Sequence, residues 1–194
     1  MKKLLTLFIC LAFAGCGGGG GSSIEHQAKG EMYHKTGDYE RALTHLNKAI
    51  DIDNKNIEAY ASRGALLYGM GNYTDALADF DVVAKHYPNR PEVYSAMGAT
   101  LAATGDYIPA REKLLRALEL SPVNVPALAS LGGIYFETKN YKASIEEYTK
   151  AIALQPSGDL YYMRGVVYQH YGKPNEAAAD FKAAGLEESN FPKI

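Results

Sequence analysis

Small, aromatic and bulky apolar residues recur along the chain in fixed slots, with polar residues between them. Gly30, Gly64, Gly98 and Gly132 stand 34 residues apart, and Gly165 follows one residue early. Tyr39, Tyr73, Tyr107 and Tyr141 keep the same step, as do Ala42, Ala76 and Ala110, with Ser144 in the next place. Pro88, Pro122 and Pro156 close three successive units, where Asn54 closes the first. A repeat of this period predicts an all-α array of helix-turn-helix units, each burying its faces against its neighbours. The small residues are expected at close helix crossings, Gly30, Gly64, Gly98, Gly132 and Gly165 facing Ala42, Ala76, Ala110, Ser144 and Ala177. Tyr33, Leu67, Leu101, Tyr135 and Tyr168, with Leu46, Phe80, Leu114, Tyr148 and Phe181, fill the space between. The second helix of each unit is amphipathic. Its charges, among them Glu40, Arg41, Lys48, Asp75, Asp79, Glu112 and Lys113, are interspersed in sign and read as a solvated outer face.

The turns carry their own signature. Gly37 is placed to end the first helix in a left-handed conformation and Asp38 to cap the second, and the pattern returns as Gly71-Asn72-Tyr73 and Gly105-Asp106-Tyr107. In the fourth unit Lys139 takes the glycine's place, where a left-handed backbone costs about 1 kcal/mol. In the fifth, Gly172-Lys173-Pro174 replaces the motif, with proline in the first helical turn. After Phe181 the chain is too short for another helix. Either Leu186, Phe191 and Ile194 fold back over the last pair, or that end stays uncapped and available to a partner or a second copy.

The stretches YHKTGDYERALTHLNKAIDID and LLYGMGNYTDALADFDVV resemble tetratricopeptide repeats (TPRs). The resemblance places repeats at 23–56, 57–90, 91–124, 125–157 and 158–188, followed by a short tail, 189–194. It implies a right-handed α-solenoid whose first helices line a concave, protein-binding groove. The positions carried over to that groove include Gln27, Glu31 and His34; Ala61, Ala65 and Tyr68; Ser95, Ala99 and Ala102; Ala129, Gly133 and Phe136; and Tyr162, Val166 and Gln169. This surface is mostly small and apolar, with aromatic bumps at Tyr68, Phe136 and Tyr162, and suits an apolar helix or extended peptide. It does not match TPR modules that grip chaperone C-termini with Lys, Arg and Asn, because the matching places hold Gln27, Glu31, Ser62, Glu92 and Ala96.

The N-terminus adds an address. Lys2 and Lys3 precede an apolar run from Leu4 to Ala14, shorter than the roughly 20 residues of a membrane-spanning helix. Phe13-Ala14-Gly15-Cys16 resembles the bacterial lipobox, which implies a signal peptide at 1–16, cleavage before Cys16 and its acylation with palmitate or related chains. An ordinary secretory signal cut at a nearby small residue is the other reading. Cys16 is the only cysteine left after cleavage at the lipobox, so no internal disulfide can form. Two or three acyl chains, at about 0.8 kcal/mol per buried methylene, hold a protein on a membrane almost permanently. Residues 17–22 form a Gly/Ser tether. The lipoprotein resemblance, with Gly17 rather than Asp after the cysteine, implies the outer membrane of a bacterial envelope, facing the periplasm.

Charge and chemistry narrow the function. Without Lys2 and Lys3, 18 basic side chains stand against 22 acidic ones, which argues against nucleic acid. His26, His34, His45, His86 and His170 are scattered over different helices, no metal-ligand spacing or catalytic motif is present, and no cofactor is expected. The expected function is therefore a non-enzymatic interaction scaffold or assembly factor. It is similar in plan to pilotin-like lipoproteins that help assemble secretin pores and to envelope scaffolds that gather cell-wall enzymes. The alternative is a self-associating structural protein that uses its uncapped C-terminal repeat.

Overall fold

The computed structural model describes residues 21–192. Ten α-helices follow one another: α1 Ser23–Lys35, α2 Tyr39–Ile52, α3 Ile57–Gly69, α4 Tyr73–His86, α5 Pro91–Ala103, α6 Tyr107–Leu120, α7 Val125–Glu137, α8 Tyr141–Leu154, α9 Gly158–His170 and α10 Pro174–Ala183. A 3-10 turn, Glu188–Asn190, ends the described chain, and no strand occurs among the described residues. Consecutive helices pack as antiparallel pairs, each second helix packs on the next pair, and first helices also touch along the array (α1 with α3, α3 with α5, α5 with α7). The result is an all-α TPR solenoid.

Caps and turns explain why the helices stop where they do. Ser22 and Glu25 form a capping box at α1, and Asp38, Asn56, Asn124, Asn140 and Ser157 each accept a backbone N–H of the first turn. Asn72 and Asp106, expected to cap in the same way, do not. Asn72 donates to Asp75 and Asp106 accepts from the Thr104 hydroxyl. Lys139 does adopt the left-handed conformation, at φ 60°. There the Asn140 N–H closes the turn onto the Tyr135 carbonyl at 2.7 Å, as Asp106 does onto Leu101 at 3.0 Å behind Gly105.

The core is a chain of clusters rather than one centre. Ile57, Leu67, Phe80, Val83, Val93 and Met97 fill the second-to-third junction; Leu114, Leu131 and Ile134 the third-to-fourth; and Tyr148, Ile152, Leu160 and Val167 the fourth-to-fifth. Fully burying one such side chain stabilises the fold by about 1.5–3 kcal/mol. The repeating glycines meet the bulky slot of the second helix rather than the alanine side chain assigned to them above. A Cβ on Gly98 would lie 2.7 Å from Leu114 Cδ2 and 3.0 Å from the Ala110 carbonyl oxygen. Where Ser144 replaces alanine, its hydroxyl donates to the Gly132 carbonyl at 2.7 Å.

Two further expectations are corrected. Asp79 is not on a solvated face. It is buried, and Arg63 on α3 reaches it with two hydrogen bonds, Nε to Oδ2 at 2.8 Å and Nη2 to Oδ1 at 2.7 Å. Arg164 holds Asp180 in the same way at 2.8 Å and 2.8 Å. The C-terminal pair is also not left uncapped. Leu186 N–H closes onto Phe181, the Phe191 ring lies 5.3 Å from that of Phe181, and Gln169 Nε2 donates to the Pro192 carbonyl at 2.6 Å. Ile194 and Cys16 lie outside the described residues.

Candidate protein-binding groove

The first helices bring small residues into one concave strip. A cavity of about 500 Å³ opens along α3, α5, α7 and α9 and contains Tyr68, Ala99, Ala129 and Phe136 of the positions inferred from sequence. Ala102 and Gly133 lie in it too. A second cavity, of about 520 Å³, adjoins at Ala99 and is lined by Glu92, Ser95, Ala96 and Val123. The small side chains create this space because neighbouring helices cover it with little more than Cβ atoms.

Of the remaining inferred residues, Ser95 lines the adjoining cavity, and Gln27, Glu31, Ala61, Ala65, Tyr162 and Val166 line neither. Gln27 and Glu31 sit at the N-terminal end, where Glu31 Oε1 accepts from Gln27 Nε2 at 2.9 Å and from the Ser62 hydroxyl at 2.8 Å. Ala61 packs on the cluster around Phe80 and Val93, and Ala65 is exposed outside the central cavity. Ser95 is buried and returns its hydroxyl to the Glu92 carbonyl, which removes it as a free contact group. Phe136 is not a bump. Its ring is half-buried, 5.1 Å from that of His170 and 6.0 Å from that of Tyr141 between centres. Tyr162 turns toward Phe181, 5.8 Å away between ring centres, and Val166 is half-buried beside it.

Several groove residues escaped the sequence reading. Met163, 42% exposed, and Leu160 come from α9, Tyr107 from the start of α6, and Glu137 and Asp159 from helix ends. Tyr148 is the least expected, since its slot on α8 is a core slot. Its ring is 2% exposed and passes beneath Gly132 and Gly133, and it lines the cavity although it belongs to a second helix. Burial, with a smaller contribution from Glu137, pushes its phenol up to about 12, so it keeps its proton throughout the physiological range. The adjacent Gly132-Gly133 pair was the available signal, because a second missing side chain opens the view to the ring below.

The histidines are less scattered than their sequence positions suggest. His26 Nδ1 and His45 Nδ1 lie 2.8 Å apart, and the His45 ring also stacks on Tyr33. Among the described residues no three His, Cys, Asp or Glu side chains gather as a metal site, and no helix is long and apolar enough to cross a membrane.

Comparison with known proteins agrees with this architecture. The TPR repeat family model matches residues 30–71, and the tetratricopeptide repeat model matches 62–125 and 95–159. No curated protein sequence matches the chain. Among solved structures, a thermophilic TPR protein of Thermus thermophilus superposes with a TM-score of 0.75 at 18% identity, over 87% of this chain and 93% of that one. MamA from Desulfovibrio magneticus RS-1, residues 41 to the end, gives 0.71 at 24% identity over 89% and 99%. Another MamA crystal structure gives 0.66 at 26% over 80% and 91%. These likenesses show a shared fold. With its helix pairs, turn glycines and matched repeats taken together, the chain belongs to the tetratricopeptide-repeat family.

Proposed function

We propose that this chain is a non-enzymatic interaction scaffold or assembly factor that holds a segment of another protein in its concave groove. The observation that carries the proposal is the cavity of about 500 Å³ between α3, α5, α7 and α9, where Tyr68 and Met163 stand over a floor of alanine and glycine. An apolar trough with a few larger anchors favours side-chain recognition of a helix or extended segment. The leader supports an anchor: acylated Cys16 and the tether at 17–22 would hold the repeats on the periplasmic side of a bacterial outer membrane, within roughly 15 Å of the lipid. A pilotin-like or cell-wall-enzyme scaffold fits that arrangement by analogy of plan.

The test is in-cell photocross-linking from a probe at Met163, with Glu112 on α6 as the outer-face control. One heterologous protein captured from Met163, absent from Glu112 and lost on Ala99→Arg, is the expected result. Self-cross-links alone, or equal capture from both faces, would replace the groove reading with a self-associating protein. Palmitate labelling that disappears on Cys16→Ser tests the anchor, and labelling that persists removes it.

A further inference from the structure

The charges around the groove are one-sided. Glu137 and Asp159 line the central cavity, and Glu92 lines its neighbour. None forms an ion pair among the described residues, and Glu31 is satisfied only by the neutral Gln27 and Ser62. On the second helices some acids are paired locally, Asp81 with Lys85, Glu119 with Arg116, and Glu146 and Glu147 with Lys150, while Glu40 and Glu112 stand exposed to water. The two central inner helices carry no cation of their own; the nearest are Arg90 just before α5, which is paired with Glu58, and His170 on α9, whose ring rests on Phe136. α5 and α7 contain no Lys, Arg or His, and Arg63 and Arg164 are turned away onto Asp79 and Asp180.

A second, independent feature points into the same space. Tyr148 is almost wholly buried, makes no side-chain hydrogen bond within the described residues, and lines the cavity. Among the described residues no fully buried polar side-chain atom is left without a partner, so this hydroxyl opens onto the cavity, where water or a ligand can satisfy it. Presented at the floor of an apolar trough, it is therefore a donor set for an incoming acceptor.

We propose that the occupant of this groove is a cationic amphipathic peptide segment of another protein, with apolar side chains on the alanine floor, Lys or Arg against Glu137, Asp159 and Glu92, and a carbonyl accepting from Tyr148. This rests on the groove-binding reading above and specifies its partner class. The apolar floor supplies desolvation, and the acids select sign and speed association. An acidic or neutral segment leaves the acids without partners.

The experiment uses the purified full chain and three fluorescein-labelled amphipathic helix peptides, built from Leu with Lys, Leu with Gln, or Leu with Glu, followed by fluorescence anisotropy. The Leu/Lys peptide is expected to bind tightest and to weaken with salt. Glu137→Gln with Asp159→Asn is expected to weaken it roughly tenfold, while the equal charge change at Glu40→Gln with Glu112→Gln leaves it unchanged. Tyr148→Phe is expected to weaken it roughly three- to tenfold with the helix content intact by circular dichroism. Equal binding of the Leu/Gln peptide with no effect of the inner charge variants overturns the cationic class and leaves the groove reading standing. No binding of any peptide, or binding that ignores Ala99→Arg, overturns both. Equal weakening by inner and outer charge pairs reduces the effect to net charge and overturns the proposal.

Discussion

Arg63 on α3 grips Asp79 on α4 through two hydrogen bonds, and with its remaining Nη1 donates to Asn47 on α2 at 2.8 Å. One side chain thus ties both helices of the second repeat to the first. Arg164 repeats the arrangement, with Thr149 on α8 at 2.9 Å in place of asparagine. Removing Arg63 leaves Asp79 buried without its counter-ion, and breaking such a pair costs about 3–5 kcal/mol. Arg63→Ala is expected to lower unfolding stability in urea by the low end of that range, because the guanidinium itself is 23% exposed. The double variant Arg63→Ala with Asp79→Ala should recover part of the loss. A double variant no more stable than Arg63→Ala would show that no charge is stranded.

The His26–His45 contact makes stability depend on acid. Burial lowers the His45 pKa from 6.5, and the nearby His26, Lys29 and Lys48 lower it further. A base whose folded pKa is depressed contributes stability that is present above pH 6.5 and lost as pH falls toward its lowered folded value. The melting temperature should therefore drop between pH 7.5 and pH 5.5, and the drop should be smaller in His45→Gln. Parallel pH profiles for the two proteins would remove His45 as the cause.

Lys139 bears a left-handed backbone that glycine adopts freely, whereas its counterparts Gly37, Gly71 and Gly105 need no relief. Lys139→Gly is expected to raise stability by about 0.5–1 kcal/mol, the strain removed outweighing the added freedom of the unfolded chain. Calorimetry checks the sign, and a destabilised variant would mean that the lysine side chain compensates its own strain.

Phe191 covers the last helix pair. Phe191→Ala is expected to destabilise the array by about 1–2 kcal/mol, less than a core phenylalanine because the ring is half-buried. Amide exchange should speed up on α9 and α10 and stay unchanged on α1 and α2, since each repeat touches only its neighbours. Uniform acceleration along the chain would contradict that locality.

The fold was legible because its signals repeat. Any one glycine is ambiguous, but Gly30, Gly64, Gly98, Gly132 and Gly165 each meet a large side chain 16 residues on, and that regularity marks a packing rule. The site was less legible. Tyr68, Ala99 and Ala129 follow from their place on the first helices, whereas Tyr148 reaches the groove only because two successive glycines leave its ring uncovered. Asp79 was misread for a related reason. Amphipathic patterning assigns a charge to water, and the arginine that makes its burial tolerable sits 16 residues away on another helix. The Arg-Gly and Asp-Phe pairs at 63–64 with 79–80, and at 164–165 with 180–181, are the trace that a paired reading would use.

The folded-back tail also limits how copies can join. Solenoids that stack head to tail grow into open filaments, because every added unit presents a fresh sticky surface. Here Phe191 and the Gln169–Pro192 hydrogen bond act as a stopper at one end. A second copy arriving there meets Phe191 and Pro192 before it meets Phe181.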